Sequence, residues 1–187
     1  MATDYAKLTQ NLSHFYDFTD KVVLFIGAAG GQLLDRGTRM RKLIAIDKDV
    51  KDLQELKAKI VGQGLQDSVE VVGAGFEEVT LHGDAVYFEF CLHEMDDPRR
   101  ALTHAKRLAP DIVVYDHSPG SEWIYYSAEE DKVCGSFAAM EQVGIRRRQT
   151  FHAKQRFGSY RGLLAKVTSQ GRWPSSAHDA SQEPWTS

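Results

Sequence analysis

The chain has 187 residues, a net charge of −3, a pI near 6.2 and 42% hydrophobic residues. That length and apolar content suit one domain with a real core, and the acidic balance argues against a protein built mainly to bind polyanions. No apolar run reaches the roughly 18 residues of a membrane span, and the first residues lack the basic and apolar regions of a signal peptide. Cys91 and Cys134 form no metal or redox motif, so the expectation is a cytoplasmic protein with reduced thiols.

Tyr5, Leu8, Leu12 and Phe15 recur near helical spacing and predict an amphipathic helix over 4–17. Thr19-Asp20 interrupts it before a first strand over 21–26. The small-residue turn Gly27-Ala28-Ala29-Gly30-Gly31 then feeds a short helix to Arg36, with Gly37 as its cap. A second strand over 43–47 ends in Asp47, followed by Lys48. Asp49 caps a helix over 50–61 that presents Leu53, Leu56 and Ile60 on one face and stops at Gly62. The third strand, 69–72, runs into Gly73-Ala74-Gly75. The fourth, 84–91, is the most apolar and aromatic, as suits a strand buried on both faces.

Asp96-Asp97-Pro98 opens a helix over 98–108, and a fifth strand follows at 111–116. The stretch 117–127 is irregular, polar at its front and aromatic at Trp123, Tyr125 and Tyr126. Ser127-Ala128-Glu129-Glu130 fits a capping box opening a helix to about 142, which Gly144 ends. Two last strands are expected near 145–152 and 160–168, joined around Phe157-Gly158. That connection is too short for a parallel return, so the pair must be antiparallel. Residues 1–169 then form one domain, and the Ser/Pro/polar residues 170–187 a disordered tail. The expected fold is α/β: a Rossmann-like, doubly wound sheet of seven strands, mostly parallel, closed by a terminal antiparallel hairpin.

Strand, glycine turn, helix, strand and acid is the physical recipe for gripping a nucleotide-like cofactor at the end of a parallel sheet. Asp47 lies about 20 residues after Gly27, where an acid can hold ribose hydroxyls. The turn also resembles the opening of short-chain dehydrogenases. Those enzymes need a tyrosine four residues before a lysine, and here Glu129, Glu130 and Leu164 follow Tyr125, Tyr126 and Tyr160 at that distance.

The whole order over about 20–168 resembles class I S-adenosylmethionine-dependent methyltransferases. The family's glycine positions fall on Gly27, Ala29 and Gly31, and its ribose-binding acid on Asp47. The run from Asp84 through Leu92-His93 to Leu108-Ala109-Pro110 looks like the family's strand-four motif. Two positions depart from the pattern: Phe25 stands where the family usually carries an acid, and Ala74 where it often carries Asp.

The resemblance implies S-adenosylmethionine as cofactor, held by Gly27, Ala29, Gly31, Asp47, Lys48, Ala74, Gly75, Phe76 and Glu89. It implies an acceptor presented near His93, Glu94 and His117, the candidate catalytic residues. Methyl transfer is an in-line displacement, so alignment does most of the work and a base is optional. His93, His117 and a carboxylate have the chemistry to bind a metal, but no close ligand spacing marks such a site.

A small-molecule substrate follows from a chain spent almost wholly on the core fold. Arg146-Arg147-Arg148 reads as the guard of an exposed edge strand rather than a nucleic-acid site. The oligomeric state is not legible. The alternative function is a non-catalytic or repurposed member, a binding or partner subunit, motivated by the acids absent at Phe25 and Ala74.

Overall fold

A computed structural model describes residues 5–28, 39–121, 129–152 and 159–169. Five strands, β1 (Val22–Ile26), β2 (Lys42–Asp47), β3 (Val69–Gly73), β4 (Ala85–Glu89) and β5 (Asp111–Tyr115), form one parallel sheet in the order β3-β2-β1-β4-β5. This is an α/β, Rossmann-like arrangement. No helix among the described residues is long and apolar enough to cross a membrane.

Alternate residues of each strand point to opposite faces, and both faces are covered, which is why the strands read as near-continuous apolar runs. Val23, Phe25, Leu43, Ala45 and Tyr87 share one core with Leu12 and Phe18, and with Leu53, Leu56 and Ile60 of α2 (Val50–Gly62). Leu12 belongs to α1 (Tyr5–Phe15). Leu24, Ile26, Ile44, Val86 and Phe88 form a second core with Ala101, Leu102, Ala105 and Leu108 of α3 (Pro98–Leu108), and with Ala139 of α4 (Glu130–Val143).

The helix starts follow their capping chemistry. Asp49 Oδ1 accepts the amides of Lys51 and Asp52 at 2.9 and 3.2 Å, and Asp97 Oδ1 accepts that of Arg100 at 2.9 Å, with Pro98 in the first turn. The expected short helix after Gly31 and its cap at Gly37 lie outside the described residues, as do Trp123, Tyr125, Tyr126, Ser127 and the tail 170–187.

The terminal hairpin is a correction. Residues 145–152 form no strand, and 160–169 is a helix, α5 (Tyr160–Ser169). The side chains of the arginine run are drawn to separate partners. Arg147 lies 4.4 Å over the Phe15 ring and donates to the His14 carbonyl, Arg148 lies 4.3 Å over Phe137, and Arg146 approaches Asp111 at 3.7 Å. The run therefore ties the segment to α1, α4 and β5 instead of guarding a strand edge. Over 160–169, the Arg-Gly-Leu-Leu-Ala-Lys sequence carries good helix formers without strand alternation, and Ser159 Oγ accepts the Gly162 amide at 3.1 Å.

Because Gly162 lies in α5, Gly162→Ala should raise unfolding stability by a few tenths to about 1 kcal/mol, since alanine loses less backbone entropy in a helix. Gly162→Val should gain less than Gly162→Ala. Urea unfolding of both variants checks this, and a larger gain from valine would indicate extended structure instead.

Candidate functional site at the carboxyl edge of the sheet

Because all five strands run the same way, their carboxyl ends share one edge. β1 leaves the sheet at Gly27, whose φ of 72° is disfavoured for residues with a Cβ. Its amide donates to the Ile46 carbonyl at 3.1 Å, and a Cβ there would lie 2.7 Å from Cys91 Cβ. Close approach of the chain beyond β4 thus demands glycine. Cys91 donates its thiol to the Ile26 carbonyl at 3.2 Å, and burial pushes its pKa up to about 12, so it stays protonated and unreactive. Ala29 and Gly31 lie outside the described residues.

On one side of β1, Asp47 ends β2. Its Oδ1 accepts the Asp49 amide at 3.0 Å and its carbonyl accepts the Ala74 amide at 3.0 Å, tying it to the turn beyond β3. Lys48 next to it is exposed, and Gly73-Ala74-Gly75 forms the adjoining turn. Phe76 belongs to the core rather than to the edge: it is buried and packs edge-on against Phe88 and His104.

On the other side of β1, Glu89 ends β4 half-buried, its Oε1 accepting the Tyr87 hydroxyl at 2.8 Å. Tyr87 is itself stacked on Phe25, ring centroids 5.3 Å apart, and the two are register partners. Phe25 is therefore core, and Glu89 stands two residues beyond its register partner on the neighbouring strand, at the rim of the sheet.

Beyond β4 the chain turns at Phe90, with φ 47°, into the short helical turn Leu92–Glu94. This turn brings His93 against β5. His93 Nδ1 lies 2.6 Å from Asp116 Oδ1, and its backbone amide donates to Asp116 Oδ2 at 3.3 Å. Both side chains are only 4% exposed, so this is a buried pair. The carboxylate oxygen accepts here, so Nδ1 carries the hydrogen, and in the neutral form of the ring Nε2 is the acceptor. Asp116 Oδ1 also accepts the His117 amide at 2.8 Å.

Burial by itself lowers the His93 pKa, but the hydrogen bond and charge of Asp116, helped by Glu94 and Glu129, leave it above the ordinary imidazole value. His117, whose ring is 5.6 Å from that of His93, shifts the other way. Burial pushes it down, outweighing the pull of Asp116, and repulsion from His93 adds to the effect.

His93 Nε2 faces two more carboxylates, Glu94 Oε1 at 3.6 Å and Glu129 Oε2 at 3.9 Å. Burial tends to raise the Glu94 pKa, yet Lys132 Nζ at 2.6 Å and the charge of His93 hold it below the usual carboxylate range. The structure therefore gathers His93, Glu94 and His117 into one cluster, with two members that the site expectations did not include. Asp116 was visible as the acid ending strand five, whereas Glu129 read as part of a capping box. Glu129 occupies the cap position of α4 but makes no side-chain cap bond, and its carboxylate turns toward His93 instead.

Asp116→Asn puts an amide where three N–H donors need an acceptor. The variant should lose about 1.5–3 kcal/mol of stability, the range for hydrogen bonds to a charged group. Urea unfolding checks this, and an unchanged midpoint would show that the buried pair contributes nothing.

No protein-family model matches the chain, and no curated protein matches it by sequence. Solved structures do. An S-adenosylmethionine-dependent methyltransferase from Aquifex aeolicus is similar with TM-score 0.57 and 22% identity over 77% of this chain and 80% of that one. An S-adenosylmethionine-dependent O-methyltransferase from Thermotoga maritima gives TM-score 0.56 and 12% identity over 73% of this chain and 49% of the other. The 4+2 cyclase SpnF gives TM-score 0.56 and 16% identity over 71% and 56%. The likeness lies in the fold, and the chain has the fold of the S-adenosylmethionine-dependent methyltransferases.

Proposed function

We propose that the protein is an S-adenosylmethionine-dependent methyltransferase acting on a small molecule. The observation that carries this reading is the pair of carboxylates, Asp47 and Glu89, on either side of the Gly27 turn. β1 lies between β2 and β4, and the chain reverses its winding direction there, which is where open α/β sheets take their ligands.

The donor set fits the cofactor. Asp47 would hold the ribose hydroxyls, Glu89 the cationic amino group of the methionine portion, and the backbone of Gly27 and of Gly73-Ala74-Gly75 the parts between. Lys48, exposed beside Asp47, flanks that side. The bound cofactor supplies an electrophilic methyl group on a sulfonium. The chain's own residues do the rest: they orient the donor and position the acceptor near His93, Glu94 and His117. Alignment of this kind is worth several kcal/mol of the barrier without any proton transfer.

Support for a small acceptor is that the described residues are spent almost wholly on the sheet and the helices that cover it. The arginine run, engaged with Phe15, Phe137 and Asp111, is poorly placed to grip a nucleic acid. Cytoplasmic residence belongs to the same reading, supported by the free thiols of Cys91 and Cys134.

A second reading, a repurposed or non-catalytic member, is favoured by the non-acidic Phe25 and Ala74. The likeness to a cyclase supports it too, since one fold hosts several chemistries.

Calorimetric titration with S-adenosylmethionine and its demethylated product separates the two. The enzyme reading expects both to bind, and expects Asp47→Ala to weaken binding by roughly 10- to 150-fold, the equivalent of about 1.5–3 kcal/mol. Glu89→Gln should weaken binding of the amino-acid-bearing ligands more than that of adenosine. Absence of binding at millimolar ligand would remove the enzyme reading.

A further inference from the structure

His93 Nε2, Glu94 Oε1 and Glu129 Oε2 lie within 4.8 Å of one another, at the meeting of the turn after β4 and the start of α4. We propose that these three side chains form a binding site for a divalent transition-metal ion, with Asp116 as the group that orients the histidine.

Geometry supports a shared centre rather than direct pairing. A charged hydrogen bond between imidazole and carboxylate spans about 2.7–2.9 Å. Nε2 instead stands 3.6 Å from one carboxylate and 3.9 Å from the other, and makes no hydrogen bond among the described residues. Metal–ligand distances of about 2.0–2.2 Å place neighbouring ligand atoms about 3.0–3.5 Å apart, so the two Nε2 contacts are a few tenths of an ångström from that spacing, and side-chain rotation of the glutamates would bring their oxygens together.

The second observation is the far side of the ring. Asp116 takes the Nδ1 hydrogen at 2.6 Å inside the protein, which aims Nε2 at the two glutamates and raises its basicity. Carboxylate on one nitrogen and metal on the other is the usual arrangement around metal-bound histidine. Charge points the same way. Asp116, Glu94 and Glu129 bring three carboxylates around one imidazole, with Lys132 on Glu94 Oε2, a donor set that suits a cation.

The ligand types narrow the choice. One imidazole and two carboxylates suit Zn²⁺ or Mn²⁺ better than Mg²⁺ or Ca²⁺, which favour oxygen alone. Three protein ligands leave at least one position open. The site stands without the methyltransferase reading.

The full chain, stripped with a chelator and dialysed, is titrated with ZnCl2, MnCl2 and MgCl2 by calorimetry. Zn²⁺ or Mn²⁺ should bind at about one equivalent and more tightly than Mg²⁺, and should raise the melting temperature. Glu94→Gln and Glu129→Gln should each lower that affinity roughly 10-fold or more, while Glu130→Gln, exposed one residue further on, should leave it unchanged. Both tested glutamates retain solvent contact, so the variants need not disturb folding as a change at buried His93 would.

No saturable uptake of Zn²⁺ or Mn²⁺, or uptake indifferent to both glutamine variants, would overturn the site and leave a hydrogen-bonded imidazolium. S-adenosylmethionine titrated into the stripped protein reads the other proposal separately. Metal uptake without cofactor binding keeps the site and loses the methyltransferase. Cofactor binding without metal uptake does the reverse.

Discussion

Parallel pairing of β1 with both β2 and β4 is the constraint on which the rest of the structure depends. Parallel strands cannot be joined by tight turns, so each connection crosses a face of the sheet and covers it. In this protein α2 crosses from β2 to β3 and α3 from β4 to β5, and the central strands become apolar on both sides. Polar side chains cannot enter such strands without unmet desolvation cost. They collect where the strands stop. The common direction puts those stopping points, at Gly27, Asp47, Gly73, Glu89 and Asp116, along a single edge.

At that edge the chain meets the cost of burial by pairing. Tyr87 lies within the core, yet its hydroxyl reaches Glu89 at the rim. His93 and Asp116 are almost completely enclosed and satisfy each other. The pair also joins the turn after β4 to the end of β5. The packing that completes the core thereby fixes the orientation of the imidazole presented to Glu94 and Glu129. Stability and a candidate site share the same contacts, so the two cannot be altered independently.

Near the end of the chain, local and distant forces compete. Residues 145–152 carry three consecutive arginines, and their guanidinium groups lie over the Phe15 and Phe137 rings and near Asp111. Residues 160–169 have residues bulky enough to resemble a strand, but their order lacks the alternation that a half-buried strand needs. The sequence pattern suggested a hairpin here, but 145–152 form no strand and 160–169 form a helix.

Sequence by itself determined the five strands, the helices capped by Asp49 and Asp97, and the acid at Asp47. Each of these rests on signals within a few residues: an apolar run, a capping carboxylate, a glycine with positive φ. It also marked Glu89 and His93 as unusual, because an acid and an imidazole adjoin an apolar strand. Only the tertiary structure decided that Phe25 is core, stacked on Tyr87, while Glu89 stands half-buried at the rim of the neighbouring strand. That follows from the register of β1 against β4, which no local pattern encodes. In the same way Asp116 and Glu129 join His93 across separations of 23 and 36 residues in the chain. Their convergence comes from helices and strands packing as solid bodies, and spacing along the sequence carries no trace of it.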